Sequence, residues 1–260
     1  MYLLPKDKIF TKRIFKNKIL IFDFKNYSFL KKIYKYIINS TVITIENFQN
    51  SIYDLNLSIY DHKPQIIGKR ISSLKFGMIR DEIKNKGKNK FKSNNIFVHL
   101  GSSETVTKLN KLIPKIIKIY NKNFISKIYV ITKFDKQISN LNNNLVKIIL
   151  KKYFLNYFKK CDFHIVNAGV TALESIFLEK LLVAIPQNKY EKLFAIYLKK
   201  KDKNLLINLK NIDKIDLTKK RKLNKIKLID GKGYSRIYRV IRSLKHSKSN
   251  IRFDKYLGKF

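Results

Sequence analysis

The chain has 260 residues, 45% hydrophobic and 13% aromatic, which is enough apolar material for a packed core and too much for a disordered polymer. Eight Gly, four Pro and a single cysteine, Cys161, exclude collagen-like, low-complexity, disulfide-stapled and Cys-rich zinc classes. The formal net charge is +39, from 57 Lys and Arg against 18 Asp and Glu.

In chain order, a basic lead runs into KILIFDF at 18–24, a buried-strand pattern ending in Asp23. Residues 27–38 carry Phe29, Leu30, Ile33 and Ile37 at helical spacing, and TVITIEN at 41–47 reads as a second strand. Residues 51–62 hold two short acidic-apolar repeats, each read as closing a short strand with an Asp. Strand, helix, strand predicts a parallel βαβ unit. A lysine-asparagine run at 84–95 reads as a linker between residues 1–83 and 96–245. The second series has strands at 96–100, 127–133, 146–150, 163–166, 181–185 and 204–208. Helices are expected after 104, at 151–160, 170–180, 189–200, near 219–227 and at 231–245, before a basic tail at 246–260. This alternation predicts a doubly wound α/β domain whose strands 96–100, 127–133, 163–166 and 181–185 share one parallel sheet.

The charge invites a nucleic-acid reading, but 49 of the basic residues are Lys and only 8 are Arg. Base-reading and phosphate-clamping surfaces favour the arginine fork. Lys, Ile and Asn together make up 113 of the 260 residues, and all three have A/T-rich codons. Codon bias therefore accounts for lysine as a filler of solvated positions, and no nucleic-acid partner is expected. No apolar run reaches the roughly 18 residues of a spanning helix. The N-terminus has no secretory pattern, so a cytoplasmic protein without an integral membrane segment is expected.

If lysine is a filler, its absence marks positions that cannot take it. Three stretches lack both Lys and Arg: 51–62, 94–107 and 161–179. Two of them hold strand-to-helix turns built of small residues. The first is Gly101-Ser102-Ser103-Glu104. Small residues admit a ligand to the backbone, and the next helix offers free N–H groups; Ser103 also reads simply as an N-cap. The second is Asn167-Ala168-Gly169-Val170-Thr171, with Glu174 one turn into its helix. Glu174 suits either hydrogen bonds from ribose hydroxyls or a plain dipole-complementing role.

Residues 94–245 resemble the C-terminal half of the GT-B nucleotide-sugar proteins. The nearest resemblance is to the UDP-2,4-diacetamido-2,4,6-trideoxy-β-L-altropyranose hydrolases of pseudaminic acid biosynthesis, with the peptidoglycan UDP-N-acetylglucosamine transferases more distant. The family's Gly-Gly-Ser-Asp-like turn stands here as Gly101-Ser102-Ser103-Glu104, and its Gly-Val-Thr-x-x-Glu turn as Gly169 to Glu174. Pro186-Gln187-Asn188 occupies the family's substrate-contacting segment, and Ile229-Asp230-Gly231-Lys232-Gly233-Tyr234-Ser235-Arg236-Ile237 keeps its terminal signature. Gly68 to Glu82 resembles the segment that joins the two domains.

The resemblance implies an α/β, GT-B-like fold of two Rossmann-type parallel-sheet domains, the first truncated. It implies a UDP-sugar substrate held by Gly101, Ser102, Ser103, Gly169, Val170, Thr171, Glu174 and Asn188, with no cofactor and no metal. The implied reaction is hydrolysis to UDP and free sugar. A glycosyltransferase, or a non-catalytic homologue that binds nucleotide sugar, is the alternative. The family's Gly-x-Gly-His-x-x-Arg loop, with its catalytic histidine, has no counterpart here, so no catalytic residue is assigned. A partner subunit supplying that unit is one expectation. Asp23 stands at the family's Asp-x-Tyr position, but Lys25 follows where Tyr is usual, with Tyr27 nearby. Of the four histidines, His99 and His164 fall on predicted core strands. Cys161 precedes a core strand and is expected to be inert.

Overall fold

A computed structural model describes residues 19–22, 40–45, 55–59, 69–85, 94–101, 105–120, 126–134, 144–202, 205–208 and 229–246. The chain divides into two compact units, Met1–Phe76 with Lys232–Phe260, and Gly77–Gly231.

In the first unit, strands β1 (Ile19–Phe22), β2 (Thr41–Ile45), β3 (Leu55–Ser58) and β4 (Lys69–Ser72) lie side by side in sequence order. All three pairings are parallel, with Ile19 opposite Thr41, Ile43 opposite Leu55 and Leu55 opposite Lys69. Val42, Ile43, Leu55 and Leu57 are buried, as expected of a parallel sheet covered on both faces. Thr44 Oγ1 donates to Asn56 Oδ1 across 3.1 Å, which satisfies two buried polar groups within the sheet. A short 3-10 turn, Leu74–Phe76, follows. The C-terminal helix Gly233–His246 packs on it, and Arg236 Nη1 donates to the Lys75 carbonyl at 2.9 Å. This helix was expected in the second domain; its packing on Leu74–Phe76 puts it in the first unit. The helix expected at 27–38, and Asp23, Lys25 and Tyr27, lie outside the described residues.

The second unit opens with the short helix α1 (Asp81–Lys84) and strand β5 (Asn95–His99). Helix α2 (Val106–Tyr120), strands β6 (Lys127–Thr132) and β7 (Val146–Leu150), a 3-10 turn (Lys151–Tyr153) and helix α3 (Phe154–Lys160) follow. Then come β8 (Phe163–Asn167), α4 (Val170–Phe177), β9 (Leu181–Ile185), α5 (Lys189–Lys201) and β10 (Leu206–Ile207). The sheet order is β10-β9-β8-β5-β6-β7, with every pairing parallel. The four strands expected to share a parallel sheet do so. Counted from β5, this is the 3-2-1-4-5-6 order of a doubly wound dinucleotide-type sheet. The winding direction reverses between β5 and β8.

Alternation along β5 builds two different faces. Ile96 and Val98 join Leu109, Leu112, Ile113 and Ile116 of α2 in an aliphatic core. Those four α2 positions fall on one helical stripe. Phe97 and His99 point the other way, into an aromatic cluster with α3. Phe97 meets Phe154 and Phe158 edge-on, each at 5.2 Å between ring centroids. Phe154 and Phe158 stack at 5.1 Å.

Strand β4 and helix α1 are additions to the expected elements, and other elements differ in extent. Within 51–62 the described residues show one strand, Leu55–Ser58, rather than two. Helix α4 stops at Phe177 rather than 180, because Glu179 turns to φ 58°. The expected linker 84–95 begins as the end of α1 and closes as the start of β5, and residues 86–93 lie outside the described residues. The expected helix near 219–227 and the tail beyond 246 lie outside them too.

Candidate functional site at the sheet reversal

In β5 and β8, His99 pairs with Val166, so the chain leaves both strands side by side at the carboxyl edge. Gly101 turns immediately there with φ 77°, a left-handed conformation that suits glycine. Asn167 ends β8, and Gly169 caps α4 without a side chain. A Cβ on Gly101 would lie 3.1 Å from Asn167 Cγ, and one on Gly169 would lie 2.9 Å from Asn167 Nδ2. The two glycines therefore flank one carboxamide. Asn167 Oδ1 is buried and has no hydrogen-bond partner. Ser102 and Ser103 lie outside the described residues.

Beside this turn is a cavity of about 250 Å³ lined by Arg80, His99, Lys151, Phe154, Val170, Thr171 and Glu174. The first amides of α4 have no intrahelical acceptor, and the helix dipole gives this end positive character. Arg80 and Lys151 add two cations. Thus four of the expected site residues, Gly169, Val170, Thr171 and Glu174, cluster at one helix start, with Gly101 against them through Asn167.

Glu174 is not an open carboxylate. Its side chain is fully buried, and Arg80 grips it with Nε to Oε1 at 2.7 Å and Nη2 to Oε2 at 2.6 Å. The Arg80 side chain is 40% exposed, and its guanidinium lies 4.5 Å over the Phe154 ring. The planar fork suits both the carboxylate and the ring face.

Asn188 sits apart, as the N-cap of α5. Its Oδ1 accepts from the amides of Tyr190 at 3.0 Å and Glu191 at 2.9 Å, while its Nδ2 donates to Glu191 Oε1. Glu191 Oε2 accepts from the Gln187 amide at 2.9 Å. Capping α5 thus occupies the carboxamide expected to contact substrate.

Two histidines differ sharply. His99 is 8% exposed, and its Nδ1 donates to the Ile131 carbonyl at 3.1 Å. Burial first, and then the charges of Lys151 and Arg80, hold its pKa below the usual value against the pull of that carbonyl. His164 is fully buried, and burial lowers its pKa to about 3. Its Nε2 donates to the Cys161 carbonyl at 3.2 Å, so the neutral ring's Nδ1 accepts from Ser175 Oγ at 2.8 Å. Ser175 Oγ is also 2.8 Å from the Thr171 carbonyl, so its one proton serves either acceptor. His164 ties β8 to α4 and is not among the residues that line the cavity. Burial raises the Cys161 thiol to about 12, which makes it unreactive.

Arg80, His99, Lys151, Phe154 and Asn167 were not among the expected site residues. A signal for Arg80 was present: in a chain that spends lysine freely, an arginine marks a place where a fork is needed. His99 lay in a lysine-free stretch but read as core. Among the described residues no group of three or more His, Cys, Asp and Glu could hold a metal ion. No described helix is long and apolar enough to cross a membrane.

No protein-family model matches the sequence, and no curated protein does. Solved structures do match by shape. The UDP-GlcNAc 2-epimerase of Methanocaldococcus jannaschii, crystallised with UDP-GlcNAc and UDP, superposes with a TM-score of 0.56 at 13% identity, covering 86% of this chain and 75% of its own. The spinosyn rhamnosyltransferase SpnG superposes with a TM-score of 0.50 at 11% identity, covering 87% and 72%. The fold is GT-B-like. It consists of two Rossmann-type parallel-sheet units, and the described cavity belongs to the second.

Proposed function

We propose that the second unit binds a nucleoside-diphosphate sugar at the reversal of its sheet, and that the chain hydrolyses a UDP-linked diacetamido sugar to UDP and free sugar. The observation that carries the binding half is the meeting of Gly101 and Gly169 at the carboxyl ends of adjacent strands β5 and β8, where open α/β sheets hold ligands. The diphosphate sits against the first amides of α4, with Arg80 and Lys151 offsetting its charge. The same amides stabilise the departing diphosphate, which is the larger part of what such a site contributes. The M. jannaschii epimerase was crystallised with UDP-GlcNAc and UDP, and SpnG with thymidine diphosphate, so ligands of this class occur among proteins of similar fold. The hydrolytic half rests on the sequence resemblance around Gly101, Gly169 and Gly231.

Calorimetric titration with UDP tests the binding half. Wild type is expected to bind, and Gly169→Ala to bind at least tenfold more weakly, because its Cβ displaces Asn167 at the diphosphate position. Glu179→Ala, five residues beyond Glu174 and past the helix end, should match wild type. A folded wild type that ignores UDP removes the site. UDP release from the diacetamido substrate in water alone identifies a hydrolase. Release only with an added acceptor identifies the glycosyltransferase alternative.

A further inference from the structure

We propose that His99 is the proton acceptor of this site, its Nε2 taking a proton from the water that attacks the sugar's anomeric carbon. This rests on the hydrolytic reading above. The resembled family's histidine lies in an N-terminal glycine loop, whereas His99 ends β5 and lines the cavity of the second unit.

His99 is the last residue of β5, at the carboxyl edge of the strand that flanks the sheet reversal. It is nine-tenths buried, yet it lines the same cavity as Val170 and Thr171 of the α4 start. Its Nδ1 faces a carbonyl oxygen, which only accepts, so Nδ1 carries the proton and a neutral ring keeps its lone pair on Nε2. No hydrogen bond engages Nε2 among the described residues. The ring is held edge-on against Phe154, 5.1 Å between centroids, so its direction is fixed.

The surrounding charges keep the ring in the state a proton acceptor needs. Arg80 and Lys151 oppose protonation, as burial does. Glu174, the carboxylate that lines the cavity among the described residues, would favour protonation; its ion pair with Arg80 leaves the two near neutral together, so burial and Lys151 decide. His164, on the adjacent strand β8, stays uncharged beside Phe97 and Phe158 and adds no field. His164 cannot substitute, since both its nitrogens are engaged.

The step balances without a further reactant. The water oxygen bonds to the anomeric carbon, and its proton passes to His99 Nε2. The bond from that carbon to the diphosphate oxygen breaks, and its electron pair leaves with UDP. His99 then returns the proton to solvent.

The test uses UDP-2,4-diacetamido-2,4,6-trideoxy-β-L-altropyranose as probe, following UDP release, with UDP calorimetry alongside. His99→Asn, which retains an N–H toward Ile131, should keep UDP affinity within about twofold and lose roughly 10²–10⁴ in the rate of release. The wild-type rate should fall on the acid side as His99 protonates, and the residual rate of the variant should lack that limb. A variant within threefold of wild type overturns the assignment. So does a wild type that binds UDP and releases none from the probe, although the nucleotide site then stands. Failure to bind UDP removes the reading beneath it. If His99→Asn does not fold, imidazole ¹⁵N spectra of wild type decide the matter. Nε2 should be the unprotonated nitrogen and should shift on adding the probe; a protonated Nε2 overturns the proposal.

Discussion

Removing Arg80 would leave the Glu174 carboxylate buried with no cation beside it. Breaking a buried pair by deleting one partner costs about 3–5 kcal/mol, and Arg80's partial exposure lowers that. Arg80→Ala is expected to destabilise by about 2–4 kcal/mol in urea unfolding. Arg80→Lys should recover only part of that loss, because a lysine cannot form the two parallel bonds or lie over Phe154. A loss under about 0.5 kcal/mol would mean that Glu174 finds water when Arg80 is gone. His164 gives a pH-linked prediction. Its folded pKa of about 3 lies below the unfolded value near 6.5, so the unfolded chain takes up the proton first. The stabilisation is complete above pH 6.5 and is lost as pH falls toward 3. Between pH 7.5 and 5.5 this one group should cost about 1.4 kcal/mol, and His99 acts in the same direction. Melting curves of His164→Phe should show a shallower acid slope, since Ser175 still has the Thr171 carbonyl to bond.

At the level of elements, the close of α4 ends the helix at Phe177, short of the expected 180, and offers a stabilising change. Lys180 N donates to Ser175 O at 3.0 Å and Glu179 N to Ile176 O at 2.9 Å, the paired bonds of a Schellman end. That motif wants glycine where this chain has Glu179 at φ 58°. Glu179→Gly should raise stability by about 1 kcal/mol, read as a higher urea midpoint at unchanged slope, while Glu179→Val should lower it. The strands of the second unit were legible because parallel strands buried on both faces read as short apolar runs such as LLVAI. Strand β4, KRIS, was not legible, because a charged edge strand carries no such run. Sheet order is a matter of which faces meet, and no local pattern encodes it. The same distinction runs through the site. Gly101 and Gly169 show themselves by composition, whereas Arg80 reaches Glu174 across 94 residues of sequence and Asn167 matters only through its neighbours.

For the whole molecule, charge is the dominant fact. Whatever put the lysines there, a net +39 repels itself in the compact state. Sodium chloride should therefore raise the melting temperature between about 20 and 300 mM, most steeply below ~100 mM, where the Debye length exceeds roughly 10 Å. A melting temperature that is flat or falls over that range would show that site-specific ion pairs offset the repulsion. The His99 and UDP measurements belong at fixed ionic strength for the same reason.

The first unit is discontinuous in sequence: Met1–Phe76 is completed by Lys232–Phe260, while Gly77–Gly231 is one uninterrupted stretch. On the ribosome this sets an order of events. The second unit has all its strands outside the tunnel before the last helix has been made, so it can close first. The N-terminal sheet emerges earlier but waits, its Leu74–Phe76 turn uncovered, for a helix synthesised more than 150 residues later. Through that interval the first-made half is the one a chaperone has most reason to hold.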